Sequence, residues 1–494
     1  MSRNQKGNNT AVIVLLTILI LVLIVLTGLV IWMCVDLVNQ TPPAPNRVQP
    51  PVTLPTAAQT EATEQTQPTQ TEPPETQPEP EHVVATATVG TMGDLLMHKP
   101  VFDTCRQSDG SYDFESIFRY VKEPVSSLDY AIANLETTFG GDDYVYQGNP
   151  AFNCPDELAD SVVDAGYDML LTANNHAGDT MASGITRTVE HVRSKGLATL
   201  GTQLNGDEPK YAVVEVNGIK IGMVCYTWAY GSDGTSFSLN GLSPVKDVGQ
   251  VNYFLNSNPD KLYTESARIL EQMKDDGAEA TMIFLHWGVE YNIKENALQD
   301  TMAQKLCDIG FDVIVGGHPH VVQPVDLLTS TADENHKTVV IYSLGNAVSN
   351  QRNGYISAAP PYYTEDGVLF SVTFEKYSDG TVYLQRVDAL PTWVNMRTDG
   401  AKQYNILPLD ADKQDQWAEQ FNLNDAMLAS AKKSMERTNS IIGSGMEICQ
   451  AYLDQQKADR ESYYQDLAAN PEKYAAPQTM PEETAAAEET LQVA

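Results

Sequence analysis

The sequence predicts an α/β fold, and three observations support that prediction. From about residue 84 to residue 395, short apolar segments typical of buried strands alternate with amphipathic segments typical of helices. Two adjacent helix–strand pairs show this most clearly, "LYTESARILEQMKDDG" with "ATMIFLHWG" and "LQDTMAQKLCDIG" with "FDVIVGGHPH". Strand-like segments also flank the dipeptides Asn217-Gly218 and Asp379-Gly380, a strong local signal of a β-hairpin.

An uncharged segment near the N-terminus predicts a membrane-spanning helix. Residues 11–35 contain no charged side chain, and a helix of that length would measure roughly 37 Å, enough to cross a bilayer. Arg3 and Lys6 precede this segment and Asp36 follows it, so the positive-inside rule places residues 1–10 in the cytoplasm. The sequence therefore predicts a single-pass protein of the cell membrane with an extracellular main domain.

The next segment predicts a disordered stalk. Residues 36–83 consist largely of Pro, Thr, Gln and Glu, as in "QTQPTQTEPPETQPEPE". Such a composition buries too little apolar surface to fold, and its prolines keep the chain extended. We expect the stalk to hold a domain at residues 84–395 away from the membrane. Apolar positions become sparse after this domain, so residues 396–494 are predicted to form a helical and then disordered C-terminal tail.

Charge and cysteine content exclude several functions. The formal net charge is −34 at pH 7 and no basic stripe is present, which excludes nucleic acid as a partner. The six cysteines include no CxxC pair, so a zinc site built from thiolates is not expected. Cys105 and Cys154 could form a disulfide in an oxidising compartment, and the sequence leaves that question open. No motif indicates a serine or cysteine nucleophile.

Polar side chains that could bind a metal or a substrate follow most of the predicted strands. In open α/β sheets, ligands bind beyond the carboxyl ends of the strands. Taken singly, Asp94 could be a turn residue or helix cap, Glu136 a solvated charge and His286 a core residue. Five of the eight histidines nevertheless fall at these positions, which predicts a shared metal site. The candidates are Asp94, His98, Asn134, Glu136, Asn174, Asn175, His176, His286, Glu290, His318, His320 and Asn346.

The run "GGHPHVVQPV" contains two of these histidines separated by one proline. Pro319 disfavours a helix and favours an extended backbone at His318. Because residues two apart in an extended segment project to the same side, His318 and His320 could bind one metal ion. The run "GYDMLLTANNH" aligns without a gap with "GFDVIVGGHPH", which suggests two equivalent strand ends at one site.

The chemistry of the candidates indicates the kind of metal. Mixed His, Asp and Asn ligands suit a divalent ion such as Mn, Fe or Zn. Such an ion lowers the pKa of bound water and neutralises charge that develops on a phosphoryl or acyl oxygen. A nearby histidine could protonate the leaving group. Neutral imidazole is the form that coordinates, so metal affinity is expected to fall below about pH 6.

Six segments occur in a characteristic order, namely "GDLLMH", "ANLETTFGG", "LLTANNHAGD", "FLHWGVEY", "IVGGHPHVVQPV" and "VIYSLGN". Together they resemble the capsule synthesis protein CapA family, which is associated with bacterial poly-γ-glutamate capsules. That family is similar in fold to the calcineurin-like metallophosphatases. The resemblance covers about residues 84–395 and implies a four-layer α/β/β/α domain, with two sheets packed face to face and helices outside.

The resemblance also implies roles for individual residues. Asp94, Asn175, His286, His318 and His320 match metal ligands of the phosphatases. His176 matches the histidine that serves as their acid, and we expect it to be catalytic. Independently of the resemblance, substrate contacts are expected from four other strand-end candidates, which are His98, Asn174, Glu290 and Asn346.

Two departures from the phosphatase pattern leave the number of ions, one or two, open. The usual Asp-x-His is absent, because two leucines follow Asp94 and His98 is displaced. The usual bridging aspartate is replaced by "ANLE", which leaves Asn134 or Glu136 to bind metal.

Three functions follow as hypotheses. The first is a membrane-anchored extracellular protein of poly-γ-glutamate capsule synthesis or export, whose metal site binds or cleaves an anionic polymer. An acidic protein needs a local cation to hold a polyanion, and the metal would supply it. The second is a metal-dependent phosphoesterase with a cell-wall substrate, which the missing aspartate motif disfavours. The third is a non-catalytic scaffold that binds membrane-embedded polymer synthase subunits.

Overall fold

The computed structural model describes residues 82–231, 236–241, 245–246, 249–398 and 400–470. The predicted membrane span at residues 11–35, almost all of the predicted stalk and the end of the predicted tail lie outside these residues. Within the described ranges, no helix combines the length and the apolar character that crossing a membrane requires. The chain divides into two units, and the second, Gln77–Ala494, contains every described residue.

The first sheet contains eight strands. They are β1 (Val83–Leu95), β2 (Tyr130–Asn134), β3 (Met169–Leu171), β4 (Ala198–Leu200), β14 (Asn346–Val348), β15 (Asp366–Tyr377), β16 (Val382–Arg397) and β17 (Gln403–Pro408). Their order is β17-β16-β15-β1-β2-β3-β4, and β14 pairs with β1. Strands β1 to β4 are parallel, whereas β15, β16 and β17 continue the sheet in antiparallel fashion.

The second sheet contains seven strands. They are β5 (Tyr211–Val216), β6 (Ile219–Ala229), β9 (Tyr253–Leu255), β10 (Ala280–His286), β11 (Val313–Gly317), β12 (Val325–Thr329) and β13 (Lys337–Ile341). A separate two-stranded sheet consists of β7 (Ser236–Phe237) and β8 (Val245–Lys246). The order in the larger sheet is β12-β13-β11-β10-β6-β5, and β9 pairs with β6. The hairpins predicted at Asn217-Gly218 and Asp379-Gly380 are confirmed, since they join β5 to β6 and β15 to β16.

Helices flank both sheets. They are α1 (Lys99–Phe102), α2 (Glu115–Phe118), α3 (Lys122–Ser126), α4 (Glu157–Asp164), α5 (Met181–Ser194), α6 (Asp260–Asp275), α7 (Ala297–Ile309), α8 (Trp417–Gln420) and α9 (Asp425–Ala469). Helices α4 and α5 pack on the outer face of the first sheet through side chains such as Leu158 and Val192. Helices α6 and α7 pack on the outer face of the second sheet through Leu270 and Leu306.

The main hydrophobic core lies between the two sheets. It contains Val89 and Ile132 from the first sheet and Met223 and Phe284 from the second, all almost completely buried. Because the inner faces meet directly and helices cover the outer faces, the layers are ordered helix, sheet, sheet, helix. The α/β prediction is confirmed.

The region beyond residue 395 contributes more to the fold than the predicted helical tail. Residues 403–408 form the edge strand β17, and α9 adds Ile442, Cys449 and Leu453 to the core between the sheets. Its buried positions follow one narrow stripe, which runs through Ala431, Ser434, Thr438, Ile442, Gly445, Cys449 and Leu453. Small and polar residues occupy much of this stripe, so the apolar pattern of the sequence does not reveal that α9 packs on both sheets.

The two cysteines that could have formed a disulfide, Cys105 and Cys154, are buried free thiols. Burial raises the pKa of the Cys105 thiol to about 12 and that of Cys154 well above its ordinary value. Both side chains therefore pack as small apolar groups beneath the first sheet.

Two glycines of α9 give a matched test of its docking. A Cβ at Gly445 would lie 1.8 Å from the backbone oxygen of Val325 in β12, whereas a Cβ at Gly443 would have nothing within 4 Å. We expect Gly443→Ala to raise the free energy of unfolding by about 0.5–1 kcal/mol, because alanine favours a helix. Gly445→Ala should lower it by about 1–3 kcal/mol, because the helix must move off the sheet. Urea unfolding of both variants checks this, and an equal gain in stability would contradict the packing described.

Candidate metal centre

The candidate site is built at the carboxyl ends of parallel strands from both sheets. Asp94 lies near the end of β1 and Asn134 is the last residue of the neighbouring β2, with the two residues paired across the strands. His286 is the last residue of β10, and His318 and His320 directly follow β11. All five side chains are buried. Face-to-face packing of the sheets therefore brings candidate ligands of both sheets together.

Hydrogen bonds and close contacts join these side chains into one cluster. Asp94 Oδ1 accepts a hydrogen bond of 2.7 Å from Asn134 Nδ2, and Asp94 Oδ2 lies 3.0 Å from His320 Nδ1. Glu136 Oε1 lies 3.5 Å from His286 Nε2 and 3.8 Å from His320 Nε2. Both carboxylates are completely buried.

Two overlapping groups of residues could hold a metal ion. Potential ligand atoms of Glu136, His318 and His320 lie within 4.8 Å of one another, and so do those of Asp94, Glu136 and His286. Glu136 belongs to both groups. Of the two residues that the "ANLE" segment offered as ligands, Glu136 takes the shared position, whereas the Asn134 amide donates a hydrogen bond to Asp94.

The loop after β3 adds the predicted Asn-His pair. Asn175 Oδ1 lies 2.7 Å from His286 Nε2, which places this amide at the edge of the cluster. His176 Nδ1 lies 2.7 Å from Asp179 Oδ2 and 3.3 Å from Asn240 Nδ2. Sequence reasoning did not select Asp179, although its position three residues after His176 in "NNHAGD" was a usable signal. The carboxylate fixes the orientation of the imidazole.

Two residues predicted to contact substrate make hydrogen bonds within the site through their amide nitrogens. Asn174 is fully buried, and its Nδ2 donates to Asn134 Oδ1 at 3.2 Å and to the Leu135 backbone oxygen at 2.7 Å. Asn346 is also fully buried, and its Nδ2 lies 3.1 Å from the His320 backbone oxygen. The amide nitrogens of both side chains are therefore engaged within the protein.

The other two predicted substrate contacts lie at the margin of the cluster. The His98 ring packs edge-on against Phe152 at 5.1 Å, and Phe152 packs against His176 at 4.5 Å. Burial, together with the neighbouring His320, lowers the pKa of His98 to about 4. Glu290 is exposed. Of these two residues, His98 thus adjoins the buried cluster and Glu290 remains accessible to solvent.

The extended backbone predicted around Pro319 is wrong. His318 has a φ of 96° and His320 a φ of 57°, in the left-handed region that non-glycine residues rarely adopt. Such conformations cost about 1–3 kcal/mol each and persist only where the surroundings enforce them. Here the Pro319 oxygen accepts from the Tyr291 amide at 2.8 Å, and Asn346 holds the His320 oxygen. The turn directs both imidazoles into the cluster despite its backbone strain.

Burial controls the protonation of the cluster. It lowers the pKa of His286 to about 3 and that of His318 well below its ordinary value, so both imidazoles are neutral near pH 7. Burial, then the neighbouring Asp94 and Glu290, raises the pKa of Glu136 well above its ordinary value. Burial acts to raise the pKa of Asp94 too, but the hydrogen bond and charge of His320 outweigh it. Protonation of His286 or His318 therefore does not explain the loss of metal affinity expected below pH 6.

The residues fit a divalent cation. Glu136 Oε1 and His318 Nδ1 are buried and have no hydrogen-bond partner within the part of the chain that the structure describes. Neutral imidazoles and buried carboxylates are ligands suited to Mn, Fe or Zn. A cation here would also offset the repulsion between the two carboxylates.

Comparison with known proteins decides the family. A family model described as "Bacterial capsule synthesis protein PGA_cap" matches residues 88–351. The chain belongs to this PGA_cap family. The match ends before β15, so α9 and the last three strands of the first sheet lie outside it. The family that the six sequence segments suggested is thereby confirmed.

Curated relatives agree with the PGA_cap assignment. The chain is 27% identical over 341 residues to the capsule biosynthesis protein CapA of Bacillus anthracis, covering 67% of this chain and 75% of the relative. It is 27% identical over 323 residues to the PGA biosynthesis protein CapA of Bacillus subtilis strain 168, covering 64% of this chain and 75% of the relative. Both relatives are bacterial, which is consistent with a bacterial origin.

A solved structure of sulfate thiohydrolase SoxB from Thermus thermophilus, in complex with glycerol, also matches in part. It is 13% identical, the TM-score is 0.33, and the match covers 72% of this chain and 60% of that structure. A likeness at this level carries no argument about function.

Glu136 gives a pH test of the cluster in the metal-free chain. Its pKa is raised in the folded state and returns to the ordinary value on unfolding, so wild-type stability falls as pH rises from the ordinary toward the raised pKa. Glu136→Gln removes this dependence. In chelator, the variant should gain stability relative to wild type between pH 5 and pH 8, measured by urea unfolding. Glu334→Gln is the control for loss of one exposed negative charge, and a pH-independent difference for Glu136→Gln would contradict the assignment.

Proposed function

We propose that this protein acts in capsule synthesis or export by holding an anionic polymer such as poly-γ-glutamate at a divalent metal centre. The observation that supports this most directly is the buried cluster in which Glu136 is shared by two groups of potential ligands. Membership of a capsule synthesis family supports the biological process. The curated relatives, one of them a PGA biosynthesis protein, make poly-γ-glutamate the first polymer to test.

The proposed ligands divide between the two groups. Asp94 and His286 would bind on one side of Glu136, and His318 and His320 on the other, with Asn175 beside His286. A divalent ion bound there would attract a carboxylate or phosphate oxygen and lower the pKa of a bound water. If the Glu136 carboxylate bridged the two groups, two ions could bind, whereas if it bound within one group only, a single ion would occupy the site.

In this proposal His176 handles a proton beside the metal centre. Its Nδ1 contacts the Asp179 carboxylate at 2.7 Å, so Nε2 would be the nitrogen that contacts a ligand. A histidine oriented by a carboxylate can donate a proton to a leaving group, the arrangement that hydrolysis requires. This pair is the specific observation in favour of the second candidate function, a metal-dependent phosphoesterase with a cell-wall substrate.

Single substitutions separate metal binding from chemistry. His318→Ala and His320→Ala should each weaken metal affinity at least about tenfold, because each removes a ligand. His336→Ala is the control, since that histidine instead contacts the Phe311 backbone oxygen. His176→Ala should keep the metal and lower hydrolysis of γ-glutamyl or phosphodiester bonds by about 10²–10⁴-fold.

Metal analysis and titration calorimetry, with a hydrolysis assay in parallel, give the measurements. Full metal occupancy in the double variant His318→Ala/His320→Ala would remove the basis of the proposal. Metal binding without hydrolysis of either bond would favour a binding role, in which the polymer is held and passed to membrane-embedded synthase subunits.

We further propose that residues 11–35 anchor the protein in the cell membrane and that residues 36–494 are extracellular. The absence of charge from this segment, with Arg3 and Lys6 before it, supports this topology. Protease added to intact cells or protoplasts should digest the main domain while a cytoplasmic marker stays intact. Full protection of the domain until the cells are lysed would contradict the topology.

A further inference from the structure

The strained turn that bears His320 is fixed by a buried amide. Asn346 Nδ2 lies 3.1 Å from the His320 backbone oxygen, 3.0 Å from Gln351 Oε1 and 3.0 Å from the Thr364 backbone oxygen. Thr364 Oγ1 in turn donates to the Gln351 backbone oxygen at 2.5 Å. The position of the His320 backbone therefore depends on how the segment 349–366 is held.

The end of this segment packs directly on Asn346. Gly367 follows it, and a Cβ at Gly367 would lie 2.3 Å from the Asn346 backbone oxygen. Such a close approach transmits a shift of the segment to Asn346, because backbone atoms in contact cannot move independently. A shift of Asp366, the residue before Gly367, would therefore reach Asn346 and, through it, the backbone of His320.

Helix α9 fixes Asp366 with a two-pronged ion pair. Arg437 Nε donates to Asp366 Oδ2 and Arg437 Nη2 to Asp366 Oδ1, both at 2.7 Å, and Ser434 Oγ donates to Asp366 Oδ1 at 2.6 Å. The Arg437 guanidinium also lies over the rings of Tyr362 and Tyr363, at 5.6 and 5.8 Å. One side chain of α9 thus contacts three residues at the end of the segment.

The Asp366 pair is buried, so its geometry is tightly determined. The Asp366 side chain is 3% exposed and that of Arg437 is 18% exposed. Burial raises the pKa of Asp366 to about 6, and the Arg437 and Ser434 hydrogen bonds act in the opposite direction. Removing Arg437 would leave the buried Asp366 carboxylate without its cation, so Asp366 would take up a proton or the segment would move, and either change alters the contacts that hold the segment.

We propose that Arg437 is a positioning residue for the metal centre, acting through Asp366, the segment 349–366 and Asn346 on the backbone of His320. This inference rests on the proposed metal-binding function. Arg437 lies in α9, outside the residues that match the family model, so the link is a feature of this chain's own C-terminal region. In this proposal, helix α9 both packs in the core between the sheets and helps to position the metal centre.

Arg437→Met and Lys457→Met provide a matched comparison in the full-length chain. Lys457 also joins α9 to the first sheet, through an ion pair of 3.2 Å with Glu375, and it is not part of the contacts that lead to Asn346. Zn²⁺ affinity of the metal-free chain should fall about tenfold or more in Arg437→Met and stay unchanged in Lys457→Met. Arg437→Lys should give an intermediate affinity, because lysine keeps the charge but loses the paired geometry.

Hydrogen exchange of the metal-free chain gives a readout that needs no metal. Amides of residues 318–323 and 349–366 should exchange faster in Arg437→Met than in wild type, with no such change in Lys457→Met. Should Arg437→Met fail to fold, Ser434→Ala removes one hydrogen bond to Asp366 and should raise exchange in the same two segments.

The outcomes separate the inference from the proposed function. Unchanged Zn²⁺ affinity with unchanged exchange of residues 318–323 would overturn the positioning role and leave the metal centre standing. A wild-type chain that binds neither Zn²⁺ nor another divalent ion would overturn the metal centre, and exchange alone would then decide whether Arg437 controls the turn. An equal loss of melting temperature in both variants, without either effect, would mean that Arg437 only docks the helix.

Discussion

Burying two carboxylates side by side is the constraint on which the rest of this structure depends. Asp94 and Glu136 are both excluded from solvent, and each raises the cost of ionising the other. The surrounding imidazoles of His286 and His318 do not supply the missing positive charge, because burial keeps them neutral near pH 7. A cation is the simplest source of that charge. His320 contacts only one of the two carboxylates closely, at 3.0 Å from Asp94, so the buried residues could hold a divalent ion beside Glu136.

The sandwich of two sheets makes such a cluster possible. Strand ends of one sheet alone would place ligands in a row, whereas two sheets packed face to face place them around a common point. Asp94 and Glu136 come from the first sheet, and His286 and His320 from the second. The helix α9 contacts strands of both sheets and closes the core between them. Helix α9 therefore packs against both of the sheets that carry the candidate ligands.

The sequence predicts those parts of the fold and the candidate site that depend on local chemistry, and it misses those that depend on contacts between distant residues. Apolar periodicity and the Asn217-Gly218 turn give the strands and hairpins, because they depend on local chemistry. The candidate ligands are predicted because they are polar residues that follow the predicted strands. The left-handed backbone at His318 and His320 is not predictable in this way, because distant residues such as Asn346 enforce it. The docking of α9 is not visible in the sequence because small and polar residues occupy much of its buried stripe.

The overall charge of the chain has a further consequence for the proposed metal centre. The chain has a net charge of −34, so a polyanion is repelled by most of its surface. In the proposed function, attraction is therefore confined to the cation at the cluster, and salt screens the repulsion beyond about 10 Å at 0.1 M ionic strength. A polymer chain would be held at one point and released from the rest of the surface. That combination suits a protein that passes a growing chain along better than one that stores it.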